Sequence, residues 1–356
     1  MLRHPRTIED LDDKPAAAAA RTRARVDVWC VLLDSFELRL GIVRASVSIL
    51  AFRCSIHDPA GAQANLAIAF ALGHAARPNG READVPEITS TFTASSGDSY
   101  EQMMGRWSRL LAEPFVDFAG LTDDGQILDA GCGTGALSAE LLRRTKVVEI
   151  VGLDYSKDYV DFAQATIQDP RIAFETGDVT ALRYEDATFN QIFTHLVLQF
   201  VPDSSTGIAE LSRVLKPGGS MAATVWDARG GFVFYRLFLD TAAMIDPAAD
   251  ELRGKLLTRP LMRPGELAAA WQSAGLTDVR SGELTIRMNF SEFDDYWAPM
   301  DGKDGPLPNY LRTTEPDLRA QIKEAVRRAF LDGDPDGPRS YTATSWVVSG
   351  TKPNSA

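Results

Sequence analysis

Gly131, Gly133 and Gly135, spaced two apart, are the residues whose type and spacing point first to chemistry. They follow the apolar stretch Gln126-Ile-Leu-Asp-Ala130 and precede Ala136-Leu-Ser-Ala-Glu-Leu-Leu142, so a strand, a glycine turn and a helix succeed one another. A helix N-terminus reached through such a turn aims backbone N–H groups at a ligand, and side chains on the turn would obstruct its approach. A dinucleotide fingerprint is spaced G-x-G-x-x-G. Here the spacing is G-x-G-x-G, and Asp129 stands two residues before the first glycine. A carboxylate there suits an ammonium group better than a pyrophosphate, because like charges crowded together repel. Val147–Asp154 reads as a second buried strand ending in an acid. A right-handed crossover would bring that acid to the same sheet edge as the glycines, where it can accept hydrogen bonds from a ribose diol. Two plainer readings stand beside these: a turn that only joins strand to helix, and an Asp154 that caps the next helix, although Ser156 can cap it alone.

Leu128-Asp129-Ala130-Gly131-Cys132-Gly133-Thr134-Gly135 resembles the first motif of the class I S-adenosylmethionine-dependent methyltransferases, and the turn Leu215-Lys-Pro-Gly-Gly219 resembles another of their motifs. The small-molecule enzymes of ubiquinone and menaquinone biosynthesis are near relatives by motif. The resemblance implies S-adenosyl-L-methionine as cofactor, with Asp129, Ala130, Gly131, Gly133, Asp154 and Tyr155 among the residues that bind it. It implies Asp178 on the adenine amino group and Val179 packed on the ring. A turn aspartate following Gly177 is the competing reading of Asp178. Residues 99–119 have helical spacing, with a bend expected near Pro114. Their stretch Tyr100–Ser108 is similar to a segment that folds over the cofactor in small bacterial relatives, which makes Tyr100 and Arg106 candidate contacts. For Arg106 a solvated surface charge is the alternative; Trp107 reads as core. Relatives often carry Asp where this chain has Asn190, and His where it has Gln199 or Phe200.

A sulfonium methyl donor needs no covalent nucleophile from the protein, and a base is required only if the acceptor arrives protonated. His195, at the end of the fourth strand, is the candidate base and a further cofactor contact; a histidine bonded to a neighbouring carbonyl is the structural alternative. Asp301 and Tyr310 are further candidates in the cap. No metal is expected: Asp332-Gly-Asp334-Pro-Asp336-Gly337 imitates the start of a calcium loop, but Ala343 holds the twelfth position. The Asn/Asp-Pro-Pro-aromatic signature of amino-nitrogen methylases is absent after the fourth strand, as is the Pro-Cys pair of cytosine-carbon methylases. A small, partly apolar acceptor is the expectation. A nicotinamide-dependent dehydrogenase and a non-catalytic S-adenosylmethionine-binding module are the rival readings.

These residues need a scaffold. Five strand-helix units joined by short links argue an α/β fold: a Rossmann-like, doubly wound, mostly parallel seven-stranded sheet with the last strand antiparallel. A helical lid insert is expected around 228–335, within a methyltransferase domain over 98–356. Residues 1–97 read as a loosely ordered or partly helical extension ending in a Pro/Gly/Ser/Thr-rich linker, Pro78–Gly97, with translation starting near Val85 as a variant reading. A net charge of -12 disfavours nucleic acid and anionic membrane as partners. The three cysteines form no ligand-spaced cluster, and no signal peptide is evident, so the cytoplasm is the simplest location. Val26–Arg53 is interrupted by Asp34, Glu37, Arg39 and Arg44 and should not span a membrane, and Leu66–Leu72 is too short. The oligomeric state is not legible.

Overall fold

Strands apolar on both faces must be covered on both, so alternating apolar strands and amphipathic helices dictate a layered arrangement. The computed structural model describes residues 92, 96–146 and 149–354, together with strands lying between residues 26 and 75. It divides at 84/85 into two units.

Within residues 1–84, β1 (Val26–Leu32), β2 (Phe36–Leu40), β3 (Val43–His57) and β4 (Gln63–Ala75) are antiparallel, each of the others pairing with β3. A loosely ordered or partly helical stretch is expected here, and these residues are strands instead; their Val-, Ile- and Phe-rich sequence has strand propensity. The alanine run Ala16–Ala20 and most of the stretch from Pro78 lie outside the described residues. The unit boundary also falls earlier than 97/98, so Phe92 and Ser96 belong to the second unit.

That unit begins with α1 (Gly97–Tyr100), a π-helical turn (Glu101–Gly105) and α2 (Arg106–Ala119), filling the expected helix; Pro114 sits inside α2. There follow β5 (Gln126–Ala130), α3 (Ala136–Arg144), β6 (Glu149–Asp154), α4 (Lys157–Thr166), β7 (Ile172–Thr176) and β8 (Phe189–His195). A 3₁₀ turn (Leu198–Phe200), α5 (Ser204–Val214) and β9 (Leu215–Trp226) complete the wound part. Val147 and Val148, expected to open β6, lie outside the described residues.

Beyond Trp226 come α6 (Val233–Ala243), α7 (Pro247–Leu257), α8 (Glu266–Ser273), β10 (Thr277–Phe290), α9 (Phe293–Trp297), a 3₁₀ turn (Ala298–Asp301), α10 (Pro306–Thr313), α11 (Pro316–Leu331) and β11 (Arg339–Thr351). The sheet order is β10-β11-β9-β8-β5-β6-β7. Pairs from β9 to β7 are parallel, and β11 runs antiparallel between β9 and β10, so the expected sheet is present. The insert over 228–335 is not one continuous lid. β10 is a sheet strand, and α8 packs Leu267 and Trp271 into the sheet core, with Trp271 Nε1 donating to Met221 O at 3.1 Å. The cap is α6, α7 and α9–α11. Its core of Phe234, Phe238, Phe290, Phe293, Tyr296 and Phe330 absorbs most of the aromatic residues of this region.

Among the described residues no helix is long and apolar enough to cross a membrane.

Candidate functional site

The strand order reverses between β5 and β8, and ligand crevices in wound sheets form outside the strands' carboxyl ends at such a point. A cleft of about 670 Å³ opens there, lined in part by Tyr100, Gly131, Gly133, Asp154, Asp178 and His195. The sequence had separated these residues by up to 95 positions, from Tyr100 to His195 (195 − 100).

The glycine turn is built for two different reasons. Gly131 has φ +80°, and a Cβ there would lie 2.6 Å from Val197 Cγ1, so a side chain would be strained and would force Val197 to shift. Gly133 lines the cleft with φ +54° and nothing within 4 Å of a Cβ position. Open space beside a backbone turn is room for a ligand to approach closely.

Asp154 is buried at the end of β6. Its Oδ2 accepts Gly133 N–H (2.9 Å) and its Oδ1 accepts Ser156 N–H (2.9 Å), so it braces the glycine turn. Each carboxylate oxygen keeps a further acceptor site. Ser156 caps α4 by accepting Tyr159 N–H at 3.4 Å, which leaves Asp154 no capping duty. Burial pushes the Asp154 carboxyl up to about 6.

Asp178 lines the cleft and also accepts Thr180 N–H (2.8 Å) and Thr180 Oγ1 (2.7 Å), so the turn reading and the ligand reading are compatible. Val179 and Tyr155 line the same cleft, and the Tyr155 hydroxyl donates to Phe92 O. Ala130 and Asp129, both expected at the cofactor, are fully buried and do not line the cleft. Asp129 Oδ2 accepts the Ser138 hydroxyl at 2.6 Å, whereas its Oδ1 has no hydrogen-bond partner. Burial, with the nearby Asp154 charge adding to it, pushes the Asp129 carboxyl up to about 7.

Tyr100 meets the cleft, its hydroxyl 3.1 Å from Ser108 Oγ, and burial pushes it up to about 12. Arg106 does not line the cleft. It pairs with Asp295 of α9 at 2.9 Å and lies 4.1 Å over the Trp107 ring, tying α2 to the cap. Trp107 is core, as expected.

His195 lines the cleft but is not placed to act as a base. Its Nε2 is 3.1 Å from Ser108 O, which can only accept, so Nε2 carries the proton; Nδ1 then accepts from Thr224 Oγ1, also at 3.1 Å. Burial lowers its pKa to about 4 and the ring stacks on Phe115, so it is neutral with no lone pair left over. A histidine with a depressed folded pKa contributes stability that is full above its ordinary value of 6.5 and is lost as pH falls toward 4, about 3 kcal/mol in all. The destabilisation caused by His195→Phe should therefore shrink by about that amount between pH 7 and pH 4, measured by urea denaturation. A constant difference would remove the neutral, doubly bonded assignment.

The other candidate bases are also committed. Asp301 pairs with Arg319 (2.5 Å) and accepts Trp297 Nε1–H (3.3 Å), and the Tyr310 hydroxyl donates to Asp246. Asp336, in the calcium-like stretch, accepts Phe293 N–H and pairs with Arg327. Asn190 accepts Gln126 N–H and Lys216 Nζ at the amino end of β8, the opposite end of that strand from the cleft. Sequence reasoning missed Phe92, Leu196, Val197 and Tyr159 as lining residues. Leu196 has φ +63°, a left-handed backbone unusual for leucine, and nothing in its sequence signals that.

Residues 127–219 match the model of a family described as a methyltransferase domain. The trans-aconitate 2-methyltransferase of Methylobacterium radiotolerans is 35% identical over 212 residues, 58% of this chain and 77% of that protein. The demethylmenaquinone methyltransferase of Bacillus licheniformis is 32% identical over 173 residues, 44% of this chain and 73% of that protein. The chain belongs to the class I S-adenosylmethionine-dependent methyltransferases. It spans about half the length of several other curated relatives, among them 41% of the demethylmenaquinone methyltransferase of Deinococcus radiodurans, 38% identical over 98 residues and 27% of this chain.

The cleft fits the cofactor of that family on its own chemistry. Asp154 and Asp178 line it, Gly133 offers backbone with no side chain in the way, and the unpartnered oxygen of Asp129, which is buried and does not itself line the cleft, is an open acceptor. A second cavity of about 520 Å³ adjoins the cleft and shares Phe92, Tyr100, Leu196 and Phe200 with it. The shared residues stand between the cleft that holds Asp154 and Asp178 and the aromatic cavity.

Proposed function

We propose that this chain transfers a methyl group from S-adenosyl-L-methionine to a small, partly apolar acceptor by in-line displacement in a desolvated pocket. The observation that carries this reading is the convergence of the open glycine turn, Asp154 and Asp178 on one cleft that meets an aromatic cavity. When bound, the cofactor supplies a sulfonium-activated methyl. The chain's own residues bind and align: Asp154 accepts from a ribose diol, Asp178 and Val179 hold an adenine, and Asp129 answers an ammonium. Alignment of two reactants supplies roughly 7–11 kcal/mol of such a barrier. Tyr100 and Phe200, at the junction of the two cavities, keep water from the line of attack. Attack of an anionic acceptor on a sulfonium neutralises charge, which a dry, low-dielectric pocket favours. A small acceptor also agrees with the net charge of -12, which disfavours nucleic acid, and with the acceptors named in its relatives, trans-aconitate and demethylmenaquinone.

Incubation of the full chain with methyl-labelled S-adenosylmethionine and a cell extract tests the reading: label should pass to a low-molecular-mass product. Cofactor binding without any transfer would leave a binding module.

Cofactor affinity should also depend on pH. Binding an ammonium and a diol favours ionised Asp129 and Asp154, whose carboxyls in the free protein sit near 7 and 6. Affinity for S-adenosylhomocysteine should therefore fall below pH 7, by up to about tenfold per pH unit for each group. Calorimetry in two buffers of different ionisation enthalpy should register proton release at pH 6.5. Asp129→Asn should abolish the part of the dependence above pH 6, and its persistence would count against the ammonium role.

A further inference from the structure

We infer that the methyl acceptor is an organic acid whose carboxylate is anchored by Arg259 in the aromatic cavity, its reacting atom lying at the other end, toward the cleft. This rests on the reading of the cleft as the cofactor site. Arg259 lines the aromatic cavity with its guanidinium 4.5 Å over the Phe200 ring. Among the described residues no carboxylate lies within ion-pair distance of it, whereas Arg106, Arg144, Arg171 and Arg213 are each paired. A half-buried guanidinium beside aromatic walls, without a counter-charge, is one that an anion would stabilise. Burial already pulls Arg259 below the ordinary guanidinium range.

Two further polar atoms of the cavity are open as well, whereas the Tyr100 hydroxyl is held by Ser108. The hydroxyl of Tyr235, a buried residue, has no hydrogen-bond partner among the described residues and stands within electrostatic reach of Arg259. Gln199 Nε2 donates to Leu196 O at 2.9 Å, which fixes the amide's orientation because a carbonyl cannot donate. Gln199 Oε1 is consequently a buried acceptor with no partner. A guanidinium and a phenol together bind a carboxylate, and Gln199 Oε1 takes an O–H or N–H elsewhere on the same molecule.

The chemistry favours a monoanion. Among the described residues Arg259 is the only cation lining the cavity, and the remaining walls include Trp226 stacked on Phe232 at 4.7 Å. A phosphate would call for a second cation. Arg259 lines the aromatic cavity and the neighbouring surface depression but not the cleft with the glycine turn, so the acid end is held away from the methyl donor.

Calorimetry on the full chain saturated with S-adenosylhomocysteine tests this, using phenylacetate and 3-phenylpropionate against their carboxamides. At least one acid should bind about tenfold or more tightly than its amide. Arg259→Gln should erase that preference, Arg259→Lys should retain part of it, and the affinity of each variant for S-adenosylhomocysteine should be unchanged. Acids that bind no better than their amides, or a preference that survives in Arg259→Gln, would overturn the inference while leaving the cofactor site intact. Failure of the wild-type chain to bind S-adenosylhomocysteine would instead overturn the reading on which it rests.

Discussion

Asp154→Ala is expected to weaken S-adenosylhomocysteine binding by about 2–3 kcal/mol, roughly 30–150-fold. Hydrogen bonds to a charged acceptor carry that much, and Asp154 is the buried acid of the cleft wall proposed to receive them. The effect has a second source, since the same carboxylate holds Gly133 N–H and Ser156 N–H. Asp154→Asn separates the two: its amide keeps one oxygen acceptor but opposes an N–H donor to one of those backbone N–H groups. It should therefore recover little of the lost affinity. Calorimetric titration gives the number, and thermal denaturation of the same samples shows whether the turn has loosened. Unchanged affinity in Asp154→Ala would sink the ribose assignment.

The larger effect on stability should come from Gly131→Ala. An alanine in the left-handed region is strained by roughly 1–2 kcal/mol, and overpacking against a neighbour that must shift adds about 1–3. Here the neighbour is Val197, whose methyls occupy the space a Cβ needs. A loss of about 2–5 kcal/mol should lower the Tm by several degrees, on the order of 5–15 °C for a unit of this size. Gly133→Ala provides the contrast. Its backbone strain is similar, but its Cβ meets no protein atom and enters the cleft. That variant should stay folded, with a small drop in Tm, and lose at least about tenfold in S-adenosylhomocysteine affinity. If both variants behaved alike, the two glycines would not have the distinct roles assigned to them.

The ion pair of Arg106 and the carbonyl-bonded alternative for His195 were undecidable from sequence for the same physical reason. A residue's type and its place on an element say which sheet edge it is near, but not what stands opposite its polar atoms. Arg106 met Asp295, 189 positions away, and His195 met Ser108 O and Thr224 on two other elements. Phe92 was hidden by its setting in a Pro- and Ser-rich stretch, and Leu196 carries a left-handed backbone that leucine does not advertise.

What the sequence determined by itself was the wound sheet and the family's first motif. Short-range regularities suffice for these: period, glycine spacing, acids at strand ends and turn residues recur over a few positions, and chain chirality then fixes where parallel strands bring their tips. Tertiary structure alone decided which side chains are consumed by internal bonds and which are left open. That distinction depends on partners far apart in the chain, and it separates Asp129, with one oxygen unanswered, from His195, with neither nitrogen free. It also separated α8 and β10 from the cap, because an aromatic-rich stretch reads alike whether it covers a sheet or extends it.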